Sequence, residues 1–121
     1  YRVPVSDGHT AAVYVNFDRK PAREEIIARW QEWTPLPQQL KLPSAPQQFL
    51  TYFNEDDRPQ AKLDRELYGG MGITMGRLRE DNIFDYKFAC LSHNTLRGAA
   101  GGGVLSAEYL CKLGYIPHKA F

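Results

Sequence analysis

The side chain of this sequence best placed to move protons is the imidazole of His9. In Asp7-Gly8-His9-Thr10 it sits at a tight bend between two β-prone stretches, a position from which a side chain is aimed into a cleft. An unperturbed imidazole titrates near pH ~6.5 and so can give or take a proton at neutral pH. The other reading is a structural histidine that donates to a loop carbonyl, and the sequence leaves both open. Arg2, seven residues earlier, offers a planar guanidinium that pairs bidentately with a carboxylate. An odd separation puts two residues on opposite faces of a regular strand. Arg2 and His9 therefore converge only if the Ser6-Asp7-Gly8 bend resets the pleat; otherwise Arg2 is a surface arginine.

The second unusual feature is Arg97-Gly98-Ala99-Ala100-Gly101-Gly102-Gly103, at the start of a helical pattern. An interior glycine costs about 1 kcal/mol against alanine, so three in succession cost about 3 kcal/mol, and something must come close to that backbone. Tight packing within the protein and a bare helix N-terminus offered to an anion or amide both use that property. It is not a Walker loop, whose Lys-Ser/Thr ending is absent. Cys90 and His93 lie three apart and face opposite sides of a strand, so Cys90, inside Phe88-Ala89-Cys90-Leu91, reads as an inert buried thiol. Neither the histidines and cysteines nor the carboxylates of Asn54-Glu55-Asp56-Asp57 have metal-ligand spacing, and no metal is expected.

These residues need elements to position them. Residues 3–5 and 10–17 (TAAVYVNF) are strand-like, with the Ser6-Asp7-Gly8 turn between. Residues 21–33 predict an amphipathic helix: Pro21 suits its first turn, Glu24 and Glu25 its dipole, and Ile26, Ile27, Trp30 and Trp33 form one stripe. Prolines at 35, 37, 43 and 46 make residues 34–46 a loop. Residues 48–53 predict a strand and 54–67 a long polar excursion of the kind that is usually functional or interfacial. Residues 72–79 alternate imperfectly and 83–91 better, an antiparallel pair joined by Glu80-Asp81-Asn82. Residues 94–113 predict a terminal helix capped by Ser92 or Asn94. The class is α+β: a mostly antiparallel sheet covered on one face by helices, with the other face available for dimerisation.

At 121 residues, 43% hydrophobic and 24% charged with a formal net charge of +1, the chain has the balance of one ordinary globular domain. That charge is too small for a nucleic-acid footprint, no stretch is long and apolar enough for a membrane span, and two cysteines predict a reducing, cytoplasmic setting. The strand-like opening at Tyr1, without an initiator Met, reads as a piece of a longer protein.

The opening Arg2-Val3-Pro4-Val5-Ser6-Asp7-Gly8-His9-Thr10 is followed, in order, by Ser44-Ala45-Pro46, Asp57-Arg58-Pro59-Gln60, Gly76-Arg77-Leu78-Arg79 and Leu91-Ser92-His93-Asn94-Thr95-Leu96-Arg97-Gly98-Ala99-Ala100-Gly101. Together these resemble the aspartate-β-semialdehyde dehydrogenase family, in its fungal and archaeal branch, over nearly the whole chain. The resemblance implies that residues 1–121 are the C-terminal catalytic and dimerisation domain of an enzyme that uses NADP. Its reaction would be reduction of β-aspartyl phosphate to aspartate semialdehyde with release of phosphate, toward threonine and methionine. It assigns Arg2 to the substrate carboxylate, His9 to acid–base exchange with a cysteine nucleophile, and Asn94, Thr95 and Gly98 to the nicotinamide end of the cofactor. The nucleophile, the phosphate-binding arginine and the nucleotide-binding domain all precede this segment in the family, and neither Cys90 nor Cys111 matches the nucleophile. The segment alone is then expected to be inactive, with its own N-terminal domain and a second copy as partners. The alternatives are a self-sufficient interaction module and a paralogous acyl-phosphate reductase.

Overall fold

The computed structural model describes residues 1–117 and holds a four-stranded mixed sheet whose order is β1-β4-β3-β2. The strands are β1 (His9–Val15), β2 (Leu50–Phe53), β3 (Ile73–Glu80) and β4 (Tyr86–Ser92). Pairing is antiparallel for β1 with β4 and for β4 with β3, and parallel for β2 with β3. The α+β class and the mostly antiparallel sheet agree with the sequence reading. Two details differ. Residues 3–5 form no strand, their backbone turning back through a Val5 N–H to Val3 carbonyl bond of 2.8 Å, so there are four strands where five are expected. The polar excursion between β2 and β3, which carries the short helix α3 (Ala61–Asp64), is the crossover that a parallel pair requires.

The imperfect alternation of β3 has a physical cause. The β3–β4 register shifts between Gly76 and Arg79, and Arg77 adopts a φ of 59°, so an extra residue is inserted. Ile73 and Met75 share a face at a spacing of two, and after the bulge Leu78 takes the buried place that Arg77 would otherwise hold.

Helix α1 (Arg23–Glu32) covers one sheet face. Its Glu25 accepts the Ala22 N–H at 2.7 Å, closing the first turn. Ile26 joins Tyr52, Met75, Leu78 and Tyr86 in the main core, and Trp30 packs its ring 4.8 Å from Phe88 and 5.9 Å from Tyr52. Against the expectation of a loop over residues 34–46, a short helix α2 (Leu36–Gln39) forms there, with Pro37 in its first turn, where a missing N–H costs no helical bond. A π-helical turn (Leu96–Ala100) leads into α4 (Gly101–Lys112), whose Leu105 packs with Leu42 and Met71 in a second cluster. Glu108 of α4 accepts from both the backbone N–H and the hydroxyl of Ser44, at 2.9 and 2.7 Å, and so fastens the loop to the helix.

The opposite sheet face is covered only in part. Thr74 and Leu91 are fully buried at the end near the crossover, where the Arg58 carbonyl lies over Gly76. Toward the β3–β4 turn the face is open, with Ala12 and Tyr14 exposed. No helix among the described residues is long and apolar enough to cross a membrane.

Candidate functional site

The bend before β1 needs a glycine twice over. Gly8 has a φ of 103°, and a Cβ there would press 3.0 Å from the Ala61 side chain and 3.3 Å from Leu91. Two neighbours clamp the bend. Arg65 donates to the Ser6 hydroxyl at 2.9 Å and to the Asp7 carbonyl at 3.4 Å. From the other end of the chain, Asn94 Oδ1 accepts the Gly8 N–H at 2.9 Å and the Thr95 hydroxyl meets Asp7 Oδ1 at 3.3 Å.

Because the strand starts only at His9, the parity objection to Arg2 and His9 lapses: Arg2 lies outside the pleat. Arg2, His9 and Asn94 line one open cavity of about 240 Å³, together with Val3, Val5 and Asp7. Arg2 and His9 are exposed, and among the described residues neither makes a hydrogen bond that would divert it from a ligand. Asn94 spends its carbonyl oxygen on Gly8, which leaves its NH₂ group to donate. Thr95 is turned toward the bend and Gly98 toward a different cavity. That second cavity, of about 420 Å³, is lined by Arg97, Gly98, Gly102, Gly103, Ser106 and Tyr109 among others. The five residues singled out in the sequence thus gather around the bend and the helix start: Arg2, His9 and Asn94 line the first hollow, Gly98 the second, and Thr95 lines neither. Asn94 presents an exposed amide NH₂, and a Cβ added at Gly98 would meet only the His93 carbonyl, at 3.6 Å.

The glycine run is explained largely from within the protein. In the π-helical turn the N–H groups reach back five residues, Gly98 to the His93 carbonyl at 3.0 Å and Ala100 to that of Thr95 at 2.9 Å. The wider turn carries the Leu96 carbonyl to 2.9 Å from where a Gly101 Cβ would stand, and Met71 Sδ, from the segment before β3, lies 2.5 Å from the same point. The Arg97 carbonyl likewise fills the Cβ position of Gly102, whereas nothing comes within 4 Å of that of Gly103. Packing therefore accounts for Gly101 and Gly102.

Neither Ser92 nor Asn94 caps this helix. The acceptor there is His93 Nδ1, 3.3 Å from the Thr95 N–H and 3.2 Å from the Leu96 N–H. Sequence reasoning passed over His93 because histidine is not among the usual capping side chains, although two N–H groups at i+2 and i+3 are the ordinary capping geometry. Arg65 was also missed, since nothing local ties it to a bend 58 residues away. Cys90 is half-buried in β4, and burial pushes its thiol above the ordinary range, opposite to what a nucleophile needs.

Residues 1–97 match the family model for the dimerisation domain of semialdehyde dehydrogenase. The chain is 46% identical over 112 residues to an aspartate-semialdehyde dehydrogenase of Archaeoglobus fulgidus, covering 93% of this chain and 32% of that protein. It is 44% identical over 111 residues to the one of Saccharomyces cerevisiae, covering 90% of this chain and 30% of that protein. The crystal structure of the Candida albicans aspartate semialdehyde dehydrogenase with NADP superposes with a TM-score of 0.84 at 40% identity, over 95% of this chain and 33% of that one. Aspartate semialdehyde dehydrogenase II of Vibrio cholerae, 24% identical with a TM-score of 0.70, shares the fold. The chain spans about a third of the length of these relatives. Since the family match spans both the bend that carries His9 and the helix start that braces it, this chain belongs to the semialdehyde dehydrogenase family, as a dimerisation domain.

Proposed function

We propose that the protein carrying this chain is an NADP-dependent aspartate-semialdehyde dehydrogenase of the cytoplasm, which reduces β-aspartyl phosphate to aspartate semialdehyde with release of phosphate. Residues 1–121 would serve as its C-terminal catalytic and dimerisation domain, joined to a nucleotide-binding domain that precedes it. The observation that carries this reading is the convergence of Arg2, His9 and Asn94 on one cavity, in a chain whose relatives bear that activity in their names. The bound cofactor supplies the hydride.

Arg2 grips the substrate α-carboxylate through its guanidinium fork, which fixes the distance from that carboxylate to the reacting carbon. His9 takes the proton of a thiol brought from outside this chain as it attacks, and returns one as the carbonyl product leaves. Asn94, with Thr95 and Gly98 nearby, would hold the nicotinamide end of the cofactor, its free NH₂ available to donate a hydrogen bond there. The open sheet face around Ala12 and Tyr14 meets a second copy. That the segment by itself lacks turnover follows from the position of the nucleophile in the missing part.

In the full-length protein, His9→Asn should lower kcat by roughly 10²–10⁴, the scale of a lost general acid–base group. Arg2→Lys keeps the charge and loses the fork, so kcat/KM should fall about tenfold or more. Wild-type kcat in the first variant and wild-type kcat/KM in the second would remove both residues from the chemistry.

A further inference from the structure

His93 is buried, 6% exposed, and it is not one of the groups that the proposed chemistry uses. Its ring is seated under Gly70, where an added Cβ would press 3.3 Å from His93 Cδ2 and 2.5 Å from Leu96 Cδ1. Nδ1 faces three groups: the Thr95 N–H at 3.3 Å, the Leu96 N–H at 3.2 Å and the Thr95 hydroxyl at 3.2 Å. Backbone N–H groups only donate, so Nδ1 must present its lone pair. In the neutral ring the proton then sits on Nε2, which lies 3.8 Å from Glu66 Oε1. Thr95 itself makes no side-chain cap, so the imidazole satisfies donors that the helix start would otherwise leave bare.

The capped residues adjoin those that brace the bend. Asn94 holds the Gly8 N–H, Thr95 holds Asp7, and Gly8 precedes His9. We propose that His93, as the Nε2–H tautomer, is a positioning residue that caps the last helix and thereby holds Asn94 and Thr95 against the bend that presents His9. Its effect on turnover rests on the oxidoreductase reading above; its effect on local order does not.

The test uses the full-length protein. With ¹⁵N-labelled histidine, two-bond proton–nitrogen correlation should show His93 with a bare Nδ1 and a protonated Nε2; a proton on Nδ1 overturns the proposal. Hydrogen exchange is then followed in peptides covering residues 6–10 and 94–98, beside KM for NADP. His93→Leu should speed exchange in both peptides and raise KM, each about fivefold or more, the equivalent of one lost helix cap. His93→Asn, whose amide oxygen falls where Nδ1 stood, should keep both close to wild type. His93→Gln, whose amide reaches the Nε2 position, should resemble the leucine variant.

Unchanged exchange in a folded leucine variant, or an asparagine variant as impaired as the glutamine one, overturns the proposal. If the leucine variant does not fold, the comparison of asparagine with glutamine decides. A wild-type protein without NADP-dependent activity would sink the functional reading while exchange and tautomer still judge this one.

Discussion

Replacing Gly76 with alanine should destabilise the domain severely, whereas the same change at Gly103 should stabilise it. At Gly76 the added methyl would collide with the Arg58 carbonyl oxygen, stand 2.9 Å from its carbon and lie 3.2 Å from Pro59 Cδ. Overpacking a tight interior costs about 1–3 kcal/mol, and the upper end applies here because the obstacle is backbone, which cannot rotate aside as a side chain can. At Gly103, inside α4, nothing lies within 4 Å of the new atom, so alanine gains its helix propensity, about 1 kcal/mol. With a urea m-value of about 2 kcal/mol per molar, the midpoint should fall by roughly 1.5 M for Gly76→Ala and rise by roughly 0.5 M for Gly103→Ala. The assay is urea unfolding followed by tryptophan fluorescence, at one protein concentration because association adds to stability. A midpoint for Gly76→Ala within error of wild type would refute the close packing of the crossover on the sheet, and a loss at Gly103 would refute the open surface there.

Asn94→Ala should both raise KM for NADP and speed exchange at the Gly8 amide, each by about fivefold from one lost hydrogen bond. Asn94→Asp keeps an acceptor for Gly8 and loses the donor, so it should raise KM alone; equal effects of the two variants on Gly8 exchange would separate Asn94 from the bend. The Asp81 carboxyl is held down at about 2, first by the Lys87 ammonium and then by the Ile83 and Phe84 N–H groups. An unfolded aspartate titrates near ~3.9, so this turn contributes its stability fully above that pH and loses it as pH falls toward 2. Urea midpoints measured down that range should fall less steeply in Asp81→Asn than in wild type, and parallel curves would contradict the assignment. Tyr14→Lys, placing a charge on the open sheet face, should shift the full-length protein toward monomer in sedimentation at micromolar concentration; an unchanged dimer would place the interface elsewhere.

Much of this protein is legible locally. The stripe of Ile26, Ile27 and Trp30 at helical spacing yields α1, and the alternation through Tyr86, Phe88 and Cys90 yields β4, because those periods reflect one-sided burial wherever it occurs. The resemblance likewise draws attention to Arg2, His9 and Asn94 from motif residues alone. Other features exist only once distant segments meet. The slip in β3 is visible as broken alternation, yet its cause, a bulge that turns Arg77 outward, appears only against the register of β4. The parallel pairing of β2 with β3 depends on the crossover lying over Gly76, a contact that no residue type announces. His93 shows the same division, since its sequence spacing permits a cap, but burial under Gly70 is what commits the ring to that role. Sequence alone supplied the candidate residues, through side-chain type and the motif resemblance, and the periodic elements that bear them, because residue type and periodic burial are local properties. Only the tertiary structure decided that Arg2 and His9 share a cavity and that Asn94 braces the bend: the Gly8–Asn94 bond spans 86 residues, and such closures depend on the packing of the whole chain.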